Sequence, residues 1–327
     1  MRIKLPKLPQ LIDRKIYKTG QTRGADDDVI YQNRVSRAST VLIPYSVWEQ
    51  AHMPPNGDKT FENGFIVLIS PEVYFGTKYI DIALKARGLK LGSNTLIFYE
   101  TREQWEKYNP RKMGYVPAKN RVRPLGGEYV ARIPATTALK KSGKIVEGYH
   151  TTSNKGAGIR VYEYASSDTI KKSCVQLEVL FWFCIDSKQV VISNGMTDEN
   201  AEMRKREIIK IANELGLIKT SELKSMRMID KNSNTICPLC LEQLSANGFF
   251  NKMLQAEGRE VPDLTVTQVN LFHINELRIG LYNHRPYNLC WGHHHCNVVV
   301  KDAGINNTLS WLKSIIQKNE AEGYKIS

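Results

Sequence analysis

The sequence lacks any long apolar run. A membrane-spanning helix needs about 18 or more uninterrupted apolar residues, and the longest run here, at residues 175–185, is shorter and is broken by Glu178. Glycine (22) and proline (13) are too few for a collagen-like or low-complexity chain, and six cysteines are too sparse for a disulfide scaffold. What is left is a folded globular chain of 327 residues, a length that favours two structural units.

A secretory signal and an acidic balance are also missing. Pro6, Pro9, Asp13 and Arg14 interrupt the apolar stretch that an N-terminal signal requires, so we expect a cytoplasmic location. Basic residues outnumber acidic ones by 46 to 33, which leaves a net charge of +13. A surplus of this size attracts polyanions, so nucleic acid is the first partner to consider, although charge alone does not decide it.

The opening third contains short runs of β-favouring residues bounded by Pro, Gly or Asn. These runs predict strands at residues 39–45, 64–69 and 95–100. Residues 79–87, between the second and third runs, predict a short helix. The N-terminal part of the chain is therefore expected to be a mixed α/β region.

The middle of the chain contains its most apolar segment. Residues 175–185 and 189–193 predict a buried hairpin, in which Cys174 and Cys184 are small apolar core residues without chemistry. Residues 198–215 have helical periodicity, with apolar side chains on one side and charges opposite, and a glycine follows as the stop signal.

A basic stretch lies at residues 102–144. It carries eleven Lys and Arg against three Glu, interleaved with Trp and Tyr, and its Pro and Gly content predicts loops and short strands. Such a segment suits phosphate contact, which makes Lys119, Arg121 and Arg123 candidate DNA-binding residues. A solvated surface above buried aromatic side chains explains the same pattern equally well.

Cysteine and histidine cluster near the C terminus, where four of the six cysteines fall within 60 residues. Cys237 and Cys240 form a C-x-x-C pair, which is either a redox dithiol or half of a zinc site. His293 and Cys296 supply a second pair and favour zinc. With all four positions filled by protein ligands, such a site is structural, because no metal-bound water is left to activate.

A further pattern surrounds these ligands: an apolar run containing His273, then Asn288-Leu289, then His293-x-x-Cys296-Asn297. In this order and spacing the sequence resembles the HNH nucleases, the zinc-bearing branch of the ββα-metal superfamily, over roughly residues 235–305.

The resemblance implies a division of roles. His273 corresponds to the general base, since a neutral imidazole can take a proton from the water that attacks phosphorus. Asn297 corresponds to a ligand of a catalytic Mg²⁺, one per active site, and Asn288 to the central Asn that fixes the loop. Arg278 and Arg285, in the loop expected to face substrate, and Lys301, one helical turn beyond Asn297, are candidate DNA contacts; for the two arginines, ordinary surface charge is the alternative.

Two residues depart from the usual family pattern. Phe272 stands where many members have an Asp as second metal ligand, and Asn275 or Glu276 is a possible substitute. His293 stands where Cys is usual, which lowers the thiolate charge on zinc. Cys290 is an alternative to His293 as ligand, although it would shift the helix register.

These observations combine into an α+β fold. Residues 1–230 are expected to form a mixed α/β region for DNA recognition and dimerisation, with an approximate boundary, and residues 231–327 a zinc-stapled ββα-metal (HNH) nuclease domain with a C-terminal helix. HNH chemistry attacks a backbone that is the same at every step, so other residues must supply any sequence choice.

This layout resembles the type II restriction endonucleases that carry an HNH active site. The resemblance implies sequence-specific hydrolysis of double-stranded DNA by a one-metal, His-base mechanism that leaves 5′-phosphate and 3′-hydroxyl ends. It also implies a homodimer and a cognate DNA methyltransferase encoded nearby, not bound as a subunit. Two alternatives stay open, namely a homing or modification-dependent HNH endonuclease and a non-catalytic zinc-stapled DNA-binding protein.

Overall fold

A computed structural model describes most of the chain. It covers residues 5–17, 40–50, 60–121, 123–133, 145–149, 159–251, 267–301 and 303–324. The part of the basic stretch at residues 134–144 lies outside these ranges. The chain divides into two compact units, one formed by Arg34–Ser166 and the other by Met1–Asn33 together with Ser167–Ser327. This division does not fall at residue 230, where the sequence placed its approximate boundary.

The Arg34–Ser166 unit is built on a six-stranded sheet with the order β5-β4-β3-β2-β1-β6. Strands β6, β1, β2, β3 and β4 are parallel, and β5 joins the β4 edge antiparallel. Central parallel strands are covered on both faces, which is why they read as continuous apolar runs. The strands are β1 (Val41–Pro44), β2 (Phe65–Ile69), β3 (Thr95–Tyr99), β4 (Tyr129–Arg132), β5 (Val146–Glu147) and β6 (Ile159–Arg160).

Short helices connect these strands. The predicted strands at 39–45, 64–69 and 95–100 correspond to β1, β2 and β3 in their described parts, and the helix predicted at 79–87 is also present. A helix at the start of the basic stretch was not predicted; its N terminus is stabilised by a capping box of Thr101 and Gln104. With the N-terminal helix α1 (Gln10–Tyr17) of the other unit counted first, these helices are α2 (Tyr45–Gln50), α3 (Pro71–Gly76), α4 (Ile80–Ala86) and α5 (Arg102–Lys107).

The second unit is mainly helical and contains a two-stranded antiparallel sheet. Its further elements are α6 (Ser167–Trp182), α7 (Ser187–Ser193), α8 (Asp198–Glu214), α9 (Thr220–Ser225), β7 (Val269–His273), β8 (Leu289–His293), α10 (His294–Val300) and α11 (Ile305–Ala321). The helix predicted at residues 198–215 is confirmed as α8. Within the described residues, no helix is long and apolar enough to cross a membrane.

The hairpin predicted at residues 175–185 and 189–193 is wrong, because residues 175–182 lie in helix α6 and residues 189–193 lie in helix α7, with a turn between the helices. Helix α6 is buried on almost all sides from Gln176 to Trp182. A helix that is apolar all round shows no 3.6-residue periodicity, so its sequence cannot be told from a buried strand. Cys174 and Cys184 are buried as expected.

Helix α6 positions the small sheet. It packs against α1, α8 and β8, and the indole Nε1 of Trp291 on β8 donates a hydrogen bond of 2.8 Å to the Leu177 carbonyl. Buried apolar side chains of α6, β7, β8 and α10 belong to one core. The β7–β8–α10 segment is therefore mounted on the main helical core of its unit.

Candidate active site

Four potential metal ligands lie close together in the second unit, and two of them belong to β8 and α10. The ligand atoms of Cys237, Cys240, His293 and Cys296 all lie within 4.8 Å of one another. In a tetrahedral zinc site with bonds of about 2.3 Å, two sulfurs would lie roughly 3.8 Å apart. The predicted ligand set is thus brought together, in an arrangement that a Zn²⁺ ion fits with little movement.

The local backbone explains how the two pairs meet. The amide of Leu241, which has a positive φ of 64°, donates to the Cys237 carbonyl at 2.8 Å and closes a tight turn around the first pair. His293 is the last residue of β8 and the N-cap of α10, so Cys296 lies in the first turn of that helix. The second pair therefore opens a helix, as the resemblance implied.

The electrostatics of the cluster favour a cation. Burial raises the pKa of the Cys296 thiol, and the neighbouring thiols Cys237 and Cys240 raise it further. A positive charge beside the Cys296 sulfur would favour its ionised form, and a metal ion bound by the cluster would supply that charge. Cys290, the alternative ligand, is instead fully buried with its thiol directed to the Phe272 carbonyl at 3.8 Å, and it is not part of the cluster.

His273 ends strand β7, opposite Leu289 in the antiparallel register. Its side chain is half-buried, and its Nε2 lies 3.2 Å from Nδ1 of His284, with the two rings tilted at 46°. His284 is 1% exposed. The sequence patterns assign no role to His284. A single histidine inside a loop has no spacing pattern that could have indicated this contact.

Asn288 organises the β7–β8 connection. Its side-chain Oδ1 accepts a 2.7 Å hydrogen bond from the Asn275 amide, and its Nδ2 donates to the Asn283 carbonyl at 2.7 Å. The Asn283 side chain in turn donates to the Glu276 carbonyl at 2.7 Å. Asn288 is 2% exposed, so these bonds are shielded from water and hold both ends of the loop.

Asn297 and Lys301 lie on and just after helix α10, which packs against both β7 and β8. Asn297 is half-buried, and its side-chain amide makes no hydrogen bond to the residues that the structure describes. Lys301 is exposed at the C-cap with φ of 48°, and its amide donates to the Asn297 carbonyl at 2.8 Å. An amide oxygen of this kind is suited to a hard divalent cation.

Phe272, at the position of the usual Asp, and its two proposed substitutes as metal ligand differ in their surroundings. Phe272 is fully buried and faces the core, so it offers no ligand. Glu276 is engaged with Arg278, whose Nε lies 2.7 Å from Oε2. Asn275 is exposed at the start of the loop. Arg278 and Arg285 are both exposed on that loop, where a polyanion could reach them.

Lys119, Arg121 and Arg123 belong to the other unit. They lie on a loop whose base is closed by hydrogen bonds from the Lys119 and Asn120 amides to the Leu125 carbonyl, at 2.8 and 3.0 Å. Lys119 and Arg123 are exposed, whereas Leu125 is 1% exposed and anchors the loop in the core. The loop thus presents cationic side chains from a fixed base.

Comparison with known proteins gives a family. The family model described as BstXI restriction endonuclease matches residues 14–294. The chain belongs to this restriction endonuclease family. The match spans both compact units and three of the four clustered metal ligands, and it ends just before Cys296 and Asn297. No curated protein matches the chain.

One solved structure is similar in part. It is described as "Crystal structure of a type II restriction endonuclease", with 14% identity and a TM-score of 0.29. The similarity covers 48% of this chain and 57% of that chain, so the chain spans just over half the length of that structure.

The matched family is of the class that the sequence predicted, the restriction endonucleases. The predicted mixed α/β character is confirmed as well, and the sheet is mainly parallel, which the sequence did not predict. The HNH subtype, the identity of the metals, the individual site residues and the homodimer stay predictions.

Proposed function

We propose that the protein is a type II restriction endonuclease that hydrolyses double-stranded DNA at an HNH site formed by β7, β8 and α10. The observation that carries the proposal is that residues 237–296 contain the Cys237/Cys240/His293/Cys296 cluster and also His273 and Asn288. Family membership supports the class of reaction, and the arrangement of these side chains supports its location.

In the proposed reaction His273 takes a proton from water as the water oxygen bonds to phosphorus. The P–O3′ bond breaks, which leaves a 5′-phosphate, and the departing 3′ oxygen takes a proton from solvent. Mg²⁺, held in part by the Asn297 amide oxygen, would neutralise charge on the phosphate and on the departing oxygen. Arg278, Arg285 and Lys301 would bind backbone phosphates near the scissile bond.

The zinc proposal concerns stability, not chemistry. Zn²⁺ would be bound by all four ligands of the cluster and would fix the start of α10 against the Cys237–Cys240 turn. Asn297 directly follows the ligand Cys296, so the same metal would set the position of the Mg²⁺ ligand. A closed structural site therefore supports a separate catalytic one.

Sequence recognition is assigned to the Arg34–Ser166 unit, whose Lys119, Arg121 and Arg123 would contact DNA. Two active sites acting on the two strands of a palindromic sequence would require a homodimer. We expect a methyltransferase of the same specificity to be encoded beside the enzyme.

The test is digestion of a DNA of known sequence with the purified protein and Mg²⁺, followed by end mapping. We expect discrete fragments whose ends carry a 5′-phosphate and can be ligated. His273→Ala is expected to abolish cleavage while DNA binding, measured without divalent cation, is retained. Discrete cutting by His273→Ala would overturn the site, and a smear of fragments would overturn the restriction assignment.

The same assay addresses the two alternatives. Cutting only of DNA that carries modified bases would indicate a modification-dependent nuclease. A wild-type protein that binds but never cuts any DNA would indicate a non-catalytic binding protein.

A further inference from the structure

The contact between His273 and His284 carries an inference beyond the proposed reaction. His284 lies in the β7–β8 connection, outside the motif positions that suggested a nuclease. Its Nδ1 is 3.2 Å from Nε2 of His273, a hydrogen-bond distance, and its ring is 1% exposed. A hydrogen bond between two ring nitrogens requires that one ring donates its proton and the other accepts it.

We infer that His284 is a positioning residue that fixes the ring and the tautomer of His273; the inference rests on the proposed function. In this arrangement His273 donates its Nε2 proton to Nδ1 of His284. The base lone pair of His273 is then on Nδ1, the nitrogen that takes the proton from water. The two nitrogens of His273 thereby receive different tasks.

The hydrogen bond also suits the state that follows proton transfer. After His273 gains the water proton at Nδ1, its ring is a cation that still donates from Nε2 to His284. A hydrogen bond from a charged donor is stronger than one from a neutral donor, so the contact stabilises the protonated base more than the resting one. A catalytic base that is oriented by a third group is a general requirement of such chemistry.

The surrounding loop is built to hold His284 in place. Its chain neighbour Asn283 is 8% exposed, accepts from the Asn288 side chain through its carbonyl, and donates from its own side chain to the Glu276 carbonyl. The next residue, Arg285, donates its amide to the Asn283 carbonyl at 3.0 Å and accepts from the Asn288 amide at 3.2 Å. Bonds on both sides of His284 thus limit its backbone movement, which precise orientation of a partner requires.

The test compares three substitutions of His284. Asn places an amide group near the position of Nδ1, Gln places it near Nε2, and Leu removes the polar partner at similar volume. We expect His284→Leu to lower kcat about 10- to 100-fold, the loss that is typical when a group orienting a metal-bound histidine is removed, with KM unchanged. His284→Asn should recover most of this loss, and His284→Gln should not.

Leu281→Ala serves as the control, because Leu281 is an exposed side chain of the same loop at 48% exposure. It should leave kcat unchanged. Bound zinc and the thermal unfolding midpoint of every variant report whether the unit is folded. If His284→Leu does not fold, the comparison of His284→Asn with His284→Gln carries the test alone.

The inference is overturned if His284→Leu folds and cuts within about threefold of wild type, or if the Asn and Gln variants lose activity equally. It is also overturned if only KM changes, since a positioning residue acts on the chemical step. His273→Ala distinguishes a failure of the proposed function from a failure of the proposed role of His284. Cleavage by His273→Ala would remove the proposed function itself, whereas an inactive His273→Ala beside fully active His284 variants would remove only the role of His284.

Discussion

A buried ion pair between Arg204 and Glu178 helps to stabilise the second unit. Arg204 on α8 forms two hydrogen bonds with Glu178 on α6, from Nε at 2.7 Å and from the terminal nitrogen at 2.9 Å. Glu178 is fully buried and also accepts from Tyr17 and from the Trp182 indole. One carboxylate therefore links α1, α6 and α8.

Removing the cation would leave this carboxylate buried without its partner. We expect Arg204→Met to lower the free energy of unfolding by about 3–5 kcal/mol, the usual result of breaking a buried pair from one side. Arg206→Met is the matched control, because Arg206 is 75% exposed on the same helix; its effect should stay within about 0.5 kcal/mol. Urea unfolding followed by circular dichroism measures both, and equal effects would contradict the assignment.

Lys15 on α1 makes the free energy of unfolding depend on pH. Its ammonium group is buried, donates to the Val269 carbonyl at 3.1 Å and to Thr267, and burial lowers its pKa to about 7. The unfolded chain has a Lys pKa near 10.4. Between these values the unfolded state binds more protons than the folded state, so stability rises with pH from about 7 to about 10.

Lys15→Met should remove this contribution. The unfolding free energy of wild type, measured relative to Lys15→Met, is expected to increase from pH 7 to pH 10 and to be constant below pH 6. Lys7→Met, at an exposed position of the same N-terminal segment, should show no such trend relative to wild type. Parallel pH profiles of wild type and Lys15→Met would show that burial does not shift the titration of Lys15.

At the level of elements, the sequence predicts those strands, helices and ligand pairs that have a recognisable periodicity or residue spacing. Strands β1 to β3 and helices α4 and α8 follow from apolar runs and punctuation. The four clustered ligands follow from two short spacings, because each pair is set by a local turn or helix start. Helix α6 could not be predicted, since burial on all sides removes its periodicity, and His284 could not, since a loop residue meets β7 only through tertiary structure.

The metal cluster gives a prediction for the β8–α10 junction. Cys296→Ala removes one ligand, whereas Cys290→Ala removes a buried thiol that lies outside the cluster. We expect purified wild type and Cys290→Ala to contain one zinc per chain, and Cys296→Ala to contain much less and to unfold at lower temperature, because structural zinc binding contributes to folding. Metal analysis by mass spectrometry checks this, and equal zinc in both variants would exclude Cys296 as a ligand.

At the scale of the whole molecule, the two compact units do not correspond to two consecutive parts of the sequence. The chain begins in the helical unit with α1, builds the sheet unit, and returns at Ser167. Charge and motif content change near residue 230, but compactness depends on which residues pack together. Ile12 and Ile16 of α1 are fully buried in the core that also contains α6. A boundary inferred from local composition could not detect a unit built from both ends of the sequence.

The net charge of +13 leads to a prediction about DNA binding as a whole. Each phosphate contact releases counterions, so the logarithm of affinity falls with the logarithm of salt concentration by about 0.9 per contact on duplex DNA. If Arg123 binds a phosphate, Arg123→Ala should weaken binding to all sequences similarly and reduce the slope by about one.

Arg87→Ala deletes the same charge from the same unit and is the matched control. Arg87 already pairs with Glu49 at 3.3 Å and with the Tyr45 hydroxyl at 3.1 Å, so its loss should leave the slope unchanged. Binding is measured without divalent cation, over a range of salt concentrations, by fluorescence anisotropy. Equal slopes for Arg123→Ala and wild type would remove Arg123 from the DNA interface. A reduced slope confined to one DNA sequence would instead indicate a base contact, because phosphates are the same at every step.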